Sequence, residues 1–170
     1  MIFLTGFSLW AQSPHLMLAA GPEWRPEKDL ENKTSIHTLS NYALGAGFRD
    51  YLFILEKSSF EESSGNAALN VERRLESIML WGEWRAPAWK AFVPYLGGGL
   101  GAYQEIVKTN LPPAPSTTRE TSHKMLTGLN FGLQLEIPIL WLSLEGRLLF
   151  GDELDPQPTL GALARVGLWF

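Results

Sequence analysis

The sequence predicts an all-β chain folded as an eight-stranded, antiparallel, up-and-down transmembrane β-barrel. Apolar residues recur at every second position along most of its length, which is strand spacing and not helical spacing. The opposite positions carry Gly, Asn, Gln, Ser and a few charges, the mixture that suits a narrow, filled lumen, while the continuous apolar face suits lipid. Connections between the candidate strands alternate long and short, as in barrels with short turns on one side of a membrane and longer loops on the other.

Composition agrees. Of 170 residues only 19% are charged, yet 12% are aromatic, with seven Trp and sixteen Gly. A soluble eight-stranded barrel with its apolar face inside would spread Lys and Glu along every outer face, and this chain has too few charges for that. Lys and Arg number 14 against 18 acids, a formal charge of −4, so no basic excess exists for nucleic acid. Without Cys, thiolate metal sites, disulfides and thiol catalysis are excluded, and three His leave little for a His-rich metal centre. Neither a metal nor a cofactor is expected.

The strands follow in order. The first candidate, residues 14–24, has the weakest pattern. In the second, Ile36, Thr38, Ser40, Tyr42, Leu44, Ala46 and Phe48 oppose His37, Leu39, Asn41, Ala43, Gly45 and Gly47. In the third, Tyr51, Phe53 and Leu55 oppose Glu56 and Ser58; in the fourth, Ile78, Leu80 and Trp84 oppose Ser77, Trp81 and Glu83. In the fifth, Phe92, Pro94, Leu96, Leu100 and Ala102 oppose Tyr95, Gly97, Gly99, Gly101 and Glu105. The sixth runs over residues 125–137, with Leu129, Phe131 and Leu133 against Gly128, Asn130, Gly132, Gln134 and Glu136. The seventh sets Leu140, Leu142, Leu144 and Leu148 against Trp141, Ser143, Glu145 and Arg147. The last sets Leu160, Ala162, Ala164, Val166, Leu168 and Phe170 against Gly161, Arg165 and Trp169. Most candidates exceed the length of soluble strands and match the ~9–11 residues a membrane strand needs.

Long links are expected at residues 25–34, 61–70 and 107–121, the last containing Pro112, Pro113 and Pro115, with a more modest one at 152–157. Short turns are expected at Arg49-Asp50, at residues 86–90 and at Pro138. Even strand number puts both termini on the short-turn side. Aromatics fall at strand ends, where interfacial belts form. Phe48, Tyr51, Trp84, Phe92 and Phe170 mark the short-turn rim; Trp24 and Phe150 mark the long-loop rim.

Residues 1–22 carry no charge. Residues 2–11 read as the apolar part of a secretory signal ending at Ala11, so residues 1–11 are expected to be cleaved and residues 12–170 to form the barrel. The lumen should hold Glu56, Glu83, Glu136, Glu145, Arg147 and Arg165, with Arg73 near its loop end. Buried charges must be paired. Arg147 and Arg165 are therefore expected to bridge several carboxylates and hold the lumen shut; a small channel is the alternative. His37 belongs inside near the long-loop rim and His15 near the short-turn rim.

The run Tyr95-Leu96-Gly97-Gly98-Gly99-Leu100-Gly101-Ala102-Tyr103, preceded by Phe92-Val93-Pro94, resembles the fifth strand of small outer-membrane barrels of the opacity and OmpA-like (OmpX-like) superfamily. Leu144-Glu145-Gly146-Arg147 resembles their penultimate strand, and the ending Ala164-Arg165-Val166-Gly167-Leu168-Trp169-Phe170 their closing strand. The resemblance implies a Gram-negative-type outer membrane, contact with lipid and lipopolysaccharide, and recognition of terminal Phe170 by the barrel-assembly machinery. It implies a structural or adhesin-like role, with a surface ligand met by the outer loops. Some small barrels are lipid A deacylases with a His-x-Ser-Asn pattern. Here Met125 stands where His123 would require Ser, and Ser122 points to the other face, so no catalytic residue is assigned.

Overall fold

The computed structural model describes residues 15–30, 33–65, 69–110, 116–137, 139–152, 154 and 157–170. The expected signal segment, Pro112, Pro113, Pro115 and Pro138 lie outside them. Among the described residues nine strands follow one another: β1 (His15–Lys28), β2 (Thr34–Phe48), β3 (Tyr51–Gly65), β4 (Asn70–Arg85), β5 (Phe92–Asn110), β6 (Thr117–Glu120), β7 (Lys124–Glu136), β8 (Leu140–Phe150) and β9 (Thr159–Trp169). All pairings are antiparallel. β1 pairs with both β2 and β9, and β4 with β5, so eight strands close into a barrel and leave no edge through the wall. Among the described residues the ninth, β6, pairs only with the far end of β5.

Three expected links are shorter than the sequence pattern suggested. β1 continues past Trp24 to Lys28, which pairs with Thr34. β3 and β4 pair out to Gly65 and Asn70, well into the expected 61–70 link. β5 reaches Asn110, and β6 forms inside the expected 107–121 link. The second and third share a cause. Beyond the apolar wall the outward positions become charged, as in Glu61 opposite Arg74 and Glu72 opposite Lys108, while backbone pairing goes on. The alternation that marks a lipid-facing strand stops where lipid stops, not where the strand stops.

Register fixes the geometry. Partners run Phe48↔Tyr51↔Trp84↔Leu96↔Phe131↔Gly146↔Ala162↔Trp24↔Thr38 around the wall. One circuit thus returns to β2 displaced by 48 − 38 = 10 residues. Eight strands with that stagger tilt by about 40°, so each residue climbs about 2.4 Å along the barrel axis. On this scale the aromatics Phe48, Tyr51, Trp84, Phe92 and Phe170 share the turn-side rim, and Trp24 and Phe150 lie roughly 20 Å above it. All seven are exposed. Between them Leu18, Leu44, Phe53, Leu80, Leu96, Leu129 and Leu144 all face outward and stay exposed, Leu144 at 69%. An exposed apolar band of roughly 25 Å is a lipid-facing wall. β3, β4, β5 and β6 rise beyond it as a projecting sheet.

Candidate functional site

Lumen-facing positions combine small residues with large ones. Trp81 on β4 is fully buried and spans the interior. A side chain at Gly99 would place its Cβ 2.5 Å from the Trp81 ring, and one at Gly128 would stand 2.8 Å from it. The inward glycines of β5 and β7 therefore make the room that Trp81 fills.

An ionic cluster lies beside that ring. Arg147 Nη1 and Nη2 donate to the two carboxylate oxygens of Glu56 at 2.7 and 2.6 Å. Its Nε meets Glu145 at 2.5 Å, Nη1 stands 3.4 Å from Glu23, and the guanidinium lies 5.0 Å from the Trp81 ring centre. Arg165 donates to Glu145 at 2.8 Å, and Tyr95 donates its hydroxyl to the same oxygen at 2.8 Å. Ser58 donates to Glu23 at 2.6 Å and accepts from Asn41 at 2.8 Å. Asn130 donates to Glu83 at 2.7 Å. All of these groups are buried. One guanidinium fork holding three carboxylates is the arrangement a planar, always-charged five-donor group permits and a lysine does not.

Each end of the cluster is covered. Toward the loops come Leu39, Leu75, Leu126, Leu149 and Tyr103, all buried, with Leu154 of the 151–158 link packed among them. Above these, Arg73 meets Glu105 at 2.5 Å and donates to the carbonyl of Lys28. Toward the turns, Arg85 pairs with Glu136, and its guanidinium lies 5.7 Å from the Trp169 ring centre. Among the described residues, no protein group meets Asn130 Oδ1, Gln134 Oε1 or Ser143 Oγ, all buried. These three have the polarity to hold ordered water in the turn-side half.

Glu56, Glu83, Glu145, Arg147 and Arg165 thus come together, while Glu136 pairs lower down and Arg73 higher up. Sequence reasoning missed Glu23, Arg25 and Glu27 on β1, Arg85, and the Arg73–Glu105 pair. Arg25 Nε stands 2.9 Å from Glu27 and Nη1 3.9 Å from Glu23. Their alternation with Trp24 and Pro26 was the available signal, hidden by ending the first strand at Trp24. His15 packs edge-on to Trp169 at the turn end, with ring centres 4.3 Å apart. His37 bonds Ser35 at 2.7 Å and packs on Phe60 near the loop end. Ser122 and His123 lie exposed between β6 and β7.

Neither a family model nor any curated protein matches the chain by sequence. Solved structures match by fold. Ail, the attachment invasion locus protein of Yersinia pestis, crystallised with the heparin analogue sucrose octasulfate, is similar over 94% of this chain and 100% of its own, with TM-score 0.67 and 15% identity. A major outer membrane protein of Thermus thermophilus gives TM-score 0.65 at 9% identity, covering 94% and 100%. Neisserial surface protein A gives 0.64 at 12% identity, covering 92% and 95%. The fold is that of small eight-stranded outer-membrane β-barrels.

Proposed function

We propose that the chain is an outer-membrane barrel of a Gram-negative-type envelope whose lumen is closed and whose working surface lies outside. The observation that carries this reading is the contrast between its two ends. The turn end is cut close to the lipid-facing band. At the loop end β3, β4, β5 and β6 continue past that band and present charged outward positions such as Glu61, Glu72, Arg74 and Lys108. A wall extended only on one side is a platform for a surface ligand. The role is structural and adhesive, and the reading uses no catalytic residue. Lumen closure is supported by the Arg147 cluster and the apolar layer above it, which leave each large side chain buried. At the seam, Leu16 and Phe170 exchange backbone hydrogen bonds of 2.9 and 3.2 Å, joining the last strand to the first.

An epitope inserted among residues 111–115 tests orientation. Antibody should label it on intact cells. Labelling only after the outer membrane is opened would reverse the orientation and end the proposal. In planar bilayers the purified protein should show no stable conductance steps; regular steps would favour the channel.

A further inference from the structure

The lipid-facing wall has one break. On β3 the outward series Tyr51, Phe53, Leu55 continues with Lys57 and Ser59, and beside it on β2 Leu44 is followed by Tyr42 and Ser40. Lys57 is six residues above Tyr51, hence about 14 Å into a band about 25 Å tall. Among the described outward-facing strand positions below the level of Glu76, it alone is charged. At similar or greater height β5 still exposes Leu100 and β9 Leu160.

A cation in that position must reach upward along its stem. Lys57 Nζ does so, meeting Glu76 Oε1 at 3.1 Å, and Arg74 Nη2 meets the same oxygen at 2.5 Å. Two cations share one carboxylate, and the side chains of both remain about half exposed, at 48% and 47%. Arg74 also touches Glu61 at 3.3 Å, but that carboxylate is 70% exposed and lies on the solvent side.

Below Lys57 the wall is hollow. A groove of about 810 Å³ runs toward the turn side, lined by Leu18, Ala20, Tyr42, Leu44, Val166 and Leu168, with Lys57 at its border. Ala20 is the cause, a methyl group set between its cross-strand neighbours Tyr42 and Val166. A second outward groove, of about 410 Å³ beside Trp24, Phe131, Leu144 and Ala162, has no outward cation among the described residues of its lining.

We infer that the first groove seats one outer-leaflet lipid with a phosphate on its head group. An acyl chain lies over Ala20, and the phosphate rests on Lys57 and Arg74 at the loop-side rim. Polarity sets the direction: cations above, apolar hollow below. Charge sets the ligand, because the pair shares Glu76 and both side chains keep exposed surface for a further anion. The second groove takes an acyl chain without choosing a head group. The inference rests on the reading that the long-loop end faces outside.

The probe is a bis-phosphorylated glycolipid of the lipid A class, compared with the same glycolipid stripped of phosphate. Folded protein in detergent micelles is loaded with each, and retained lipid is counted by native mass spectrometry. One phosphorylated lipid should remain per barrel, with retention of the stripped lipid about tenfold lower or less. Lys57→Gln with Arg74→Gln should lower retention of the phosphorylated form by a similar factor. Lys57→Leu, which completes the apolar wall and should fold at least as well, should lower it too. Ala20→Phe, filling the hollow, should displace both lipids. Equal retention of the two lipids, or retention unmoved by Lys57→Leu, would overturn the site while leaving the barrel reading intact. A wild-type chain that shows no heat-sensitive migration in detergent would overturn the barrel reading and the site with it.

Discussion

Replacing Arg147 by Met removes the cation at the centre of the lumen while keeping much of its volume. Glu56 then loses bonds of 2.7 and 2.6 Å, Glu145 loses one of 2.5 Å, and Glu23 loses a charge at 3.4 Å. Arg165 remains, at 2.8 Å from Glu145 and 3.7 Å from Glu56, and cannot serve all three carboxylates. Breaking a buried pair from one side costs about 3–5 kcal/mol. Even the lower figure is more than a hundredfold in the folding equilibrium. With a urea dependence of about 1–3 kcal/mol per M, the unfolding midpoint should fall by roughly 2 M. The assay is urea unfolding of the barrel in lipid vesicles, read by loss of the compact unboiled gel form. Glu56→Gln added to Arg147→Met should recover part of the loss, because it removes one orphaned charge. A single variant within about 0.5 kcal/mol of wild type would refute the claim that Arg147 holds the lumen cluster together.

A Cβ at Gly21 falls on the backbone carbonyl of Ala164, so Gly21→Ala should strain the β1–β9 seam and cost about 1–3 kcal/mol in the same assay; Gly82→Ala, whose Cβ meets only the Phe53 ring at 3.7 Å, should cost less than about 0.5. In single-Trp variants, brominated acyl chains should quench Trp84, 42% exposed on the wall, and spare Trp81, fully buried in the lumen; equal quenching would reverse the two faces. By hydrogen exchange the amides of β6, a four-residue strand paired on one side, should exchange well before those of β5 between Leu96 and Gly101, which sit between β4 and β7.

How much of this could be read from the sequence depends on the solvent at each position. Within the lipid band one face of every strand must be apolar, so residues 129–135 and 140–148 announce their strands and their inward partners Asn130, Gln134, Glu145 and Arg147. Outside the band the outward face meets water, so neither face need be apolar. Glu61, Glu62, Arg73 and Arg74 then look like a loop although they form cross-strand pairs. The same ambiguity hid β6. On β1 the weak apolar pattern, with Ala19, Ala20 and Pro22, concealed the strongest polar signal, Glu23-Trp24-Arg25-Pro26-Glu27. Pairing across the barrel is a matter of stagger, which no local pattern carries. Nothing in residues 147 and 56 considered alone says that they meet, whereas the displacement of ten residues per circuit brings them together.

The central claim is that the exposed apolar wall faces lipid and the charges face inward. Membrane fractions of cells expressing the chain with an export signal, run unboiled and boiled on a denaturing gel, test it most directly. The account predicts a compact form in the outer-membrane fraction that persists in detergent unboiled and changes mobility on boiling. A water-soluble product with a single mobility would contradict it, because Leu96, Leu129, Phe131 and Leu144 would then stand in water without cover.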